Sequence, residues 1–181
     1  KTSKMADGYA PLRSGSDIAF LGGMINYLLQ RDQIQKDYVR LYTNASFIVN
    51  KDFKMPGELD GVFSGYDAKG RKYDKAAWAF EVGSDGVIKK DPTFQNPMCV
   101  YQLLKKHYSR YDLDTVSSIT GTPKADLLKV YELYASTAAP DKVGTSMYAM
   151  GWTQHTVGTQ NIVAMTIIQQ LLGNMGMAGG G

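Results

Sequence analysis

Two stretches of this sequence hold side chains able to grip a polar ligand. Gly15-Ser16-Asp17 sets a hydroxyl and a carboxylate at the start of a run with helical spacing, beside the backbone N–H groups that open a helix. Met150-Gly151-Trp152-Thr153-Gln154-His155 places a thioether, an amide and an imidazole between a β-capable segment and a helix. Ligand crevices form in such strand-to-helix loops. Each residue also has a plainer reading. Asp17 serves equally as a helix cap, Met150 and Trp152 as packing at a strand end, and His155 as a structural hydrogen-bonder.

Other chemistries are missing their parts. There is no Gly-x-Ser-x-Gly elbow and no GxxxxGK[ST] phosphate loop. The glycine-rich run from Gly173 to Gly181 follows a helix rather than a strand, so a dinucleotide fingerprint fails on context. One cysteine, Cys99, cannot bridge within the chain, and two histidines beside it do not make a self-contained zinc site. His107 follows two lysines and reads as solvated. Residues 112–138 suggest a helix-turn-helix, but Asp126 and Glu132 offset Lys124 and Lys129 and leave no basic recognition face. With 20 basic and 17 acidic residues the net charge is +3, too mild for nucleic-acid binding. No complete catalytic set is present.

The elements that must position these residues follow from periodicity. A chain of 181 residues with 44% hydrophobic content builds one core. Apolar residues at 18, 21, 25, 28 and 29 predict a helix behind Asp17, and Gly22-Gly23 inside it predicts close packing against a neighbouring backbone. Asp32 and Gln35 form a capping-box pattern ahead of a helix over 33–43. Residues 50–98 hold Gly57, Gly61, Gly65, Gly70, Gly83, Gly86 and three prolines, and read as a loop or hairpin insertion with a short strand over 77–82. Helical spacing returns at 99–108, 112–119 and 123–138, the last capped by Thr122 with Pro123 at its first position. Val143–Met150 is β-capable, 151–158 a loop, and 159–172 a final helix. The expected fold class is therefore α/β, a layered helix–sheet domain over 1–49 and 99–181 with the insertion at 50–98. No apolar stretch approaches the roughly 20 residues of a membrane span, and Lys1–Asp17 lacks a signal-peptide core. The missing initiator Met and the abrupt glycine end are read as those of an internal piece of a longer polypeptide.

Longer motifs carry a resemblance. Tyr148-Ala-Met-Gly-Trp-Thr-Gln-His-Thr-Val-Gly-Thr-Gln-Asn-Ile, with Leu171-Leu-Gly-Asn-Met-Gly-Met-Ala-Gly-Gly-Gly, resembles the molybdopterin oxidoreductase superfamily. The similarity is nearest to catalytic subunits of formate dehydrogenases of the nitrate-inducible, membrane-associated type. Ala10-Pro-Leu-Arg-Ser-Gly-Ser-Asp, Phe63-Ser-Gly-Tyr-Asp, Arg71-Lys-Tyr-Asp and Ile119-Thr-Gly-Thr-Pro-Lys extend it across the chain.

The resemblance implies a bis-(molybdopterin guanine dinucleotide) centre with molybdenum or tungsten, oxidising formate to carbon dioxide. It also implies a 4Fe-4S cluster with ligands outside this segment, iron–sulfur and cytochrome b partner subunits, and a periplasmic (alternatively cytoplasmic) setting. No nucleic-acid partner and no membrane span of its own are expected. By the same resemblance Gly15, Ser16 and Asp17 meet a guanine, whose N1–H and N2–H₂ edge suits a carboxylate. Met150, Gly151 and Gln154 meet a pterin, with Trp152, Thr153 and His155 beside them. The segment alone is expected to be inactive, since the family's metal-ligating selenocysteine or cysteine lies upstream and its Arg-Gly-x-x-Asn segment downstream. Val163 stands where the family commonly has arginine. A segment of another molybdopterin oxidoreductase, such as a nitrate reductase, and a non-catalytic scaffold domain are the alternative readings.

Overall fold

The computed structural model describes residues 2–180, so Lys1 and the last glycine of the terminal run, Gly181, lie outside it. The chain divides into two compact units, one formed by residues 1–42 with 108–181 and one by Thr43–His107. The second unit is thus wider than the insertion expected at 50–98. Its margins are drawn in by backbone pairing: Val100 N–H donates to Phe47 at 3.0 Å and Tyr101 N–H to Ala45 at 2.9 Å.

The first unit is helical. Helix α1 (Asp17–Gln30) packs against α7 (Gly158–Leu172), α4 (Leu113–Thr120) and α5 (Lys124–Ala135), while α2 (Lys36–Tyr42) and α6 (Met150–Thr153) rest on α7. The apolar spacing of α1 buries Ile25, Leu28 and Leu29 completely, and Val116 of α4, Leu127 of α5 and Ile168 of α7 are buried with them. The glycine pair is where the partners come closest. A Cβ on Gly22 would touch the Tyr111 ring at 3.0 Å, and one on Gly23 would strike the Tyr131 hydroxyl at 2.6 Å. Asp112 caps α4 by accepting from Thr115 N–H at 2.7 Å, and Gly121 ends it in the left-handed region at φ 73°.

Several local expectations are corrected. Asp32 does not open a helix; it sits at φ 55°, and Gln35 caps α2 by accepting from Tyr38 N–H at 3.0 Å. Thr122 does not cap α5, because its hydroxyl donates to the Pro11 carbonyl instead. Val143–Met150 forms no strand: 142–148 carry no regular structure, and Met150 begins α6. A strand exists only where a neighbour completes its ladder. Residues 77–82 likewise divide between a 3₁₀ turn over Lys75–Trp78 and isolated bridges from Val49 to Phe80 and from Val82 to Ile88.

The second unit is built from such bridges, helix α3 (Val100–Tyr108), and one hairpin, β1 (Tyr66–Asp67) with β2 (Lys72–Tyr73), antiparallel with Tyr66 opposite Tyr73. A helical first unit and a second unit that carries a small sheet keep the mixed α/β class. Asp91 organises the turn before α3. Its carboxylate accepts from the Thr93 hydroxyl at 2.5 Å and the amides of Gln95 (2.7 Å) and Asn96 (2.6 Å), holding Phe94 at φ 59°. The Thr93 hydroxyl and then the Asn96 amide hold the Asp91 carboxyl near pH 2, below its ordinary 3.8. A depressed carboxylate contributes stability that is complete above the unfolded value and lost as pH falls through the folded one. Between about pH 4 and pH 2 the amides of Gln95 and Asn96 should therefore lose hydrogen-exchange protection. In Asp91→Asn that acid-dependent step should be absent.

Candidate functional site

The approach to α1 is strapped to the α4–α5 turn. Arg13 N–H donates to Thr120 at 2.9 Å, and its guanidinium donates to the carbonyls of Ser118 (2.8 Å) and Ile119 (3.3 Å) at the C-terminal end of α4, where a cation is favoured. The chain then turns through Gly15 at φ 84°, with nothing within 4 Å of the place a Cβ would occupy. Ser16 is buried, and its hydroxyl donates to the Arg13 carbonyl at 2.6 Å. Ser16 is also the N-cap of α1, through its backbone rather than its side chain. Asp17 is thereby the first helical residue, and its carboxylate is spared from capping.

The second stretch is held from behind. Asn161 in α7 is fully buried and donates its amide to the Trp152 carbonyl at 3.4 Å, while its own Oδ1 has no partner. Gly158 lies against the same turn, since a Cβ there would be 2.4 Å from the Thr153 carbonyl oxygen. Trp152 stacks on Tyr148 at 5.8 Å and lines an apolar cavity of about 200 Å³ with Phe20, Met24 and Met165. Met150, Gly151 and Gln154 are exposed, and Gly151 has open space around it. Val163 is exposed on α7.

These two stretches meet. His155 Nδ1 stands 3.6 Å from Asp17 Oδ2, with 22% and 16% of the two side chains accessible. That is ion-pair range for a protonated imidazole and longer than a hydrogen bond. The contact puts the carboxylate at the start of α1 beside the exposed Met150–Gln154 turn. Among the described residues no His/Cys/Asp/Glu cluster could hold a metal ion. Cys99 is buried and belongs to the other unit.

The segment leading into α6 hangs on a polar network that periodicity could not reveal. Gln169 donates to the carbonyls of Gly144 (3.1 Å) and Gly180 (3.3 Å) and accepts from the Tyr134 hydroxyl at 2.7 Å. Asn174, fully buried, accepts from Gly144 N–H at 3.1 Å and donates to Gln169 Oε1 at 2.8 Å and to Thr137 Oγ1 at 3.3 Å. Burial raises the Tyr134 hydroxyl pKa, with the Ser146 bond opposing it.

No protein-family model matches the sequence. Curated relatives match it from end to end. It is 59% identical over all 181 residues to formate dehydrogenase subunit alpha of Megalodesulfovibrio gigas, covering 18% of that protein. It is 56% identical over the same span to the nitrate-inducible formate dehydrogenase major subunit of Escherichia coli K12, again 18% of its length. Along its whole length the chain is thus similar to formate dehydrogenase major subunits. A further relative, formate dehydrogenase 2 subunit alpha (cytochrome c-553) of Nitratidesulfovibrio vulgaris, is 55% identical over all 181 residues, 18% of its length. The chain spans under a fifth of the length of these relatives. Its fold is also seen in acetylene hydratase from Pelobacter acetylenicus, at TM-score 0.57 and 18% identity, over 97% of this chain and 16% of that one.

Proposed function

We propose that this chain is a cofactor-holding part of a formate dehydrogenase catalytic subunit, an oxidoreductase that converts formate to carbon dioxide with release of two electrons and a proton. The observation that carries this reading is the approach of His155 to Asp17, which unites the two stretches able to hold a dinucleotide cofactor. The donor set fits a molybdopterin guanine dinucleotide. The Asp17 carboxylate can accept from the N1–H and N2–H₂ edge of guanine. The openness around Gly15 and Gly151 lets their backbones come close to a ligand. Gln154 offers an exposed donor and acceptor, and Met150 an exposed thioether. Ser16 acts indirectly, by fixing the turn through Arg13.

When bound, the molybdenum or tungsten centre of such a cofactor supplies the two-electron chemistry. The residues of this chain bind and orient it. In this reading 4Fe-4S clusters ligated elsewhere in the subunit would take up the electrons, with iron–sulfur and cytochrome b subunits as partners and a periplasmic setting. The full-length subunit, purified with its partners, should reduce a dye with formate and release GMP on acid hydrolysis. Asp17→Ala should lower the recovered GMP more than tenfold, since each hydrogen bond to a charged acceptor is worth about 1.5–3 kcal/mol. Undiminished GMP in that variant would remove Asp17 from the guanine site. A wild-type subunit inert to formate would overturn the reaction.

A further inference from the structure

We infer that His155 is a positioning residue for the Asp17 carboxylate and so helps to set guanine selectivity, an inference that rests on the cofactor role proposed above. A carboxylate at the first position of a helix has several rotamers, and only some aim both oxygens outward toward a planar N–H edge. Here no described hydrogen bond fixes it. Ser16 takes the cap with its backbone, and the Ser16 hydroxyl is turned back to Arg13. Among the described residues, the charged or polar side chain paired with Asp17 is His155, at 3.6 Å from Oδ2.

His155 in turn is held by the backbone around it. Its carbonyl accepts from Gly158 N–H at 3.0 Å, where α7 begins, and Asn161 ties the preceding turn to the same helix. The turn that carries the imidazole is therefore tied to α7, and the ring stands 3.6 Å from one carboxylate oxygen. Both carboxylate oxygens thus stay available for a ligand carrying two adjacent donors. Guanine presents such a pair. Adenine presents a donor beside an acceptor and gains nothing from the arrangement.

The test is titration of the cofactor-free full-length subunit with GDP and, separately, ADP, followed by calorimetry. Wild type should bind GDP more tightly than ADP. His155→Ala should weaken GDP about fivefold, the scale of one lost polar contact, and leave ADP unchanged. His155→Asn, whose amide nitrogen can stand near the imidazole Nδ1, should recover most of the loss. In an Asp17→Asn background, His155→Ala should have no further effect on GDP, because the residue through which it acts is already changed. Equal weakening of GDP and ADP, or an undiminished His155→Ala effect beside Asp17→Asn, would overturn the positioning role. So would unaltered GDP binding by His155→Ala. A wild type without GDP preference would instead remove the guanine site on which the inference stands.

Discussion

Gly23→Ala should destabilise the chain by about 2–3 kcal/mol, even though alanine is the better helix former by about 1 kcal/mol. The new methyl would lie 2.6 Å from the Tyr131 hydroxyl and 2.7 Å from Val116 Cγ2. Neither can withdraw cheaply. Val116 is completely buried, and Tyr131 donates to the Phe20 carbonyl at 2.8 Å while its ring lies 5.3 Å from that of Phe20 and 5.7 Å from that of Tyr27. Moving the ring would break a hydrogen bond inside the core, where burial already pushes the tyrosine pKa up. Gly22→Ala is the matched control. The atoms nearest its methyl would be those of the Tyr111 ring, at 3.0 Å, and Tyr111 is not fully buried. The propensity gain should nearly cancel that contact. Urea unfolding of the two variants checks the contrast, and a Gly23→Ala protein as stable as Gly22→Ala would refute the packing argument.

Asn174→Ala should cost about 3 kcal/mol and loosen the segment that leads into α6. The side chain closes a loop of bonds through Gly144, Gln169 and Thr137 with no solvent to replace it. Its loss leaves the Gly144 N–H without an acceptor and takes one donor from Gln169 Oε1, which keeps only the Tyr134 hydroxyl. Partly satisfied buried networks are worse than either extreme. The amide of Gly144 should lose hydrogen-exchange protection by more than a hundredfold, about 3 kcal/mol of local opening. Retained protection at Gly144 would show that the backbone of 143–149 is held by something other than this network.

The contrast between these two sites explains how much the sequence alone could tell. The glycine pair sits inside a strong helical period, so its side of α1 and the need for close packing could be read directly. Helices α1, α4, α5 and α7 were legible for the same reason. The 143–150 segment was not. Its residues suit a strand, but strand formation depends on a neighbour, and here Gln169 and Asn174 take up Gly144 instead of another strand. Capping was read wrongly at Asp32 and Thr122 because tertiary partners competed: the Pro11 carbonyl claims the Thr122 hydroxyl. At the candidate site, the composition of each stretch could be read, and its motifs carried the family resemblance. What periodicity could not supply was the meeting of Asp17 with His155, or the withdrawal of Ser16 into its own turn. Both depend on how distant segments pack.

Cys99 has a consequence of a different kind. It is fully buried beside a backbone bridge to Ile48, and burial raises its thiol pKa, so it carries little thiolate and presents none of it to solvent. A thiol reagent can therefore reach it only when Thr43–His107 opens. Because the chain has no other cysteine, the labelling rate is a built-in clock for that unit alone. The two tryptophans, Trp78 in one unit and Trp152 in the other, supply an optical counterpart for each. The chain thus carries its own means of timing, separately, the breathing of the part that holds the candidate site and the part that does not.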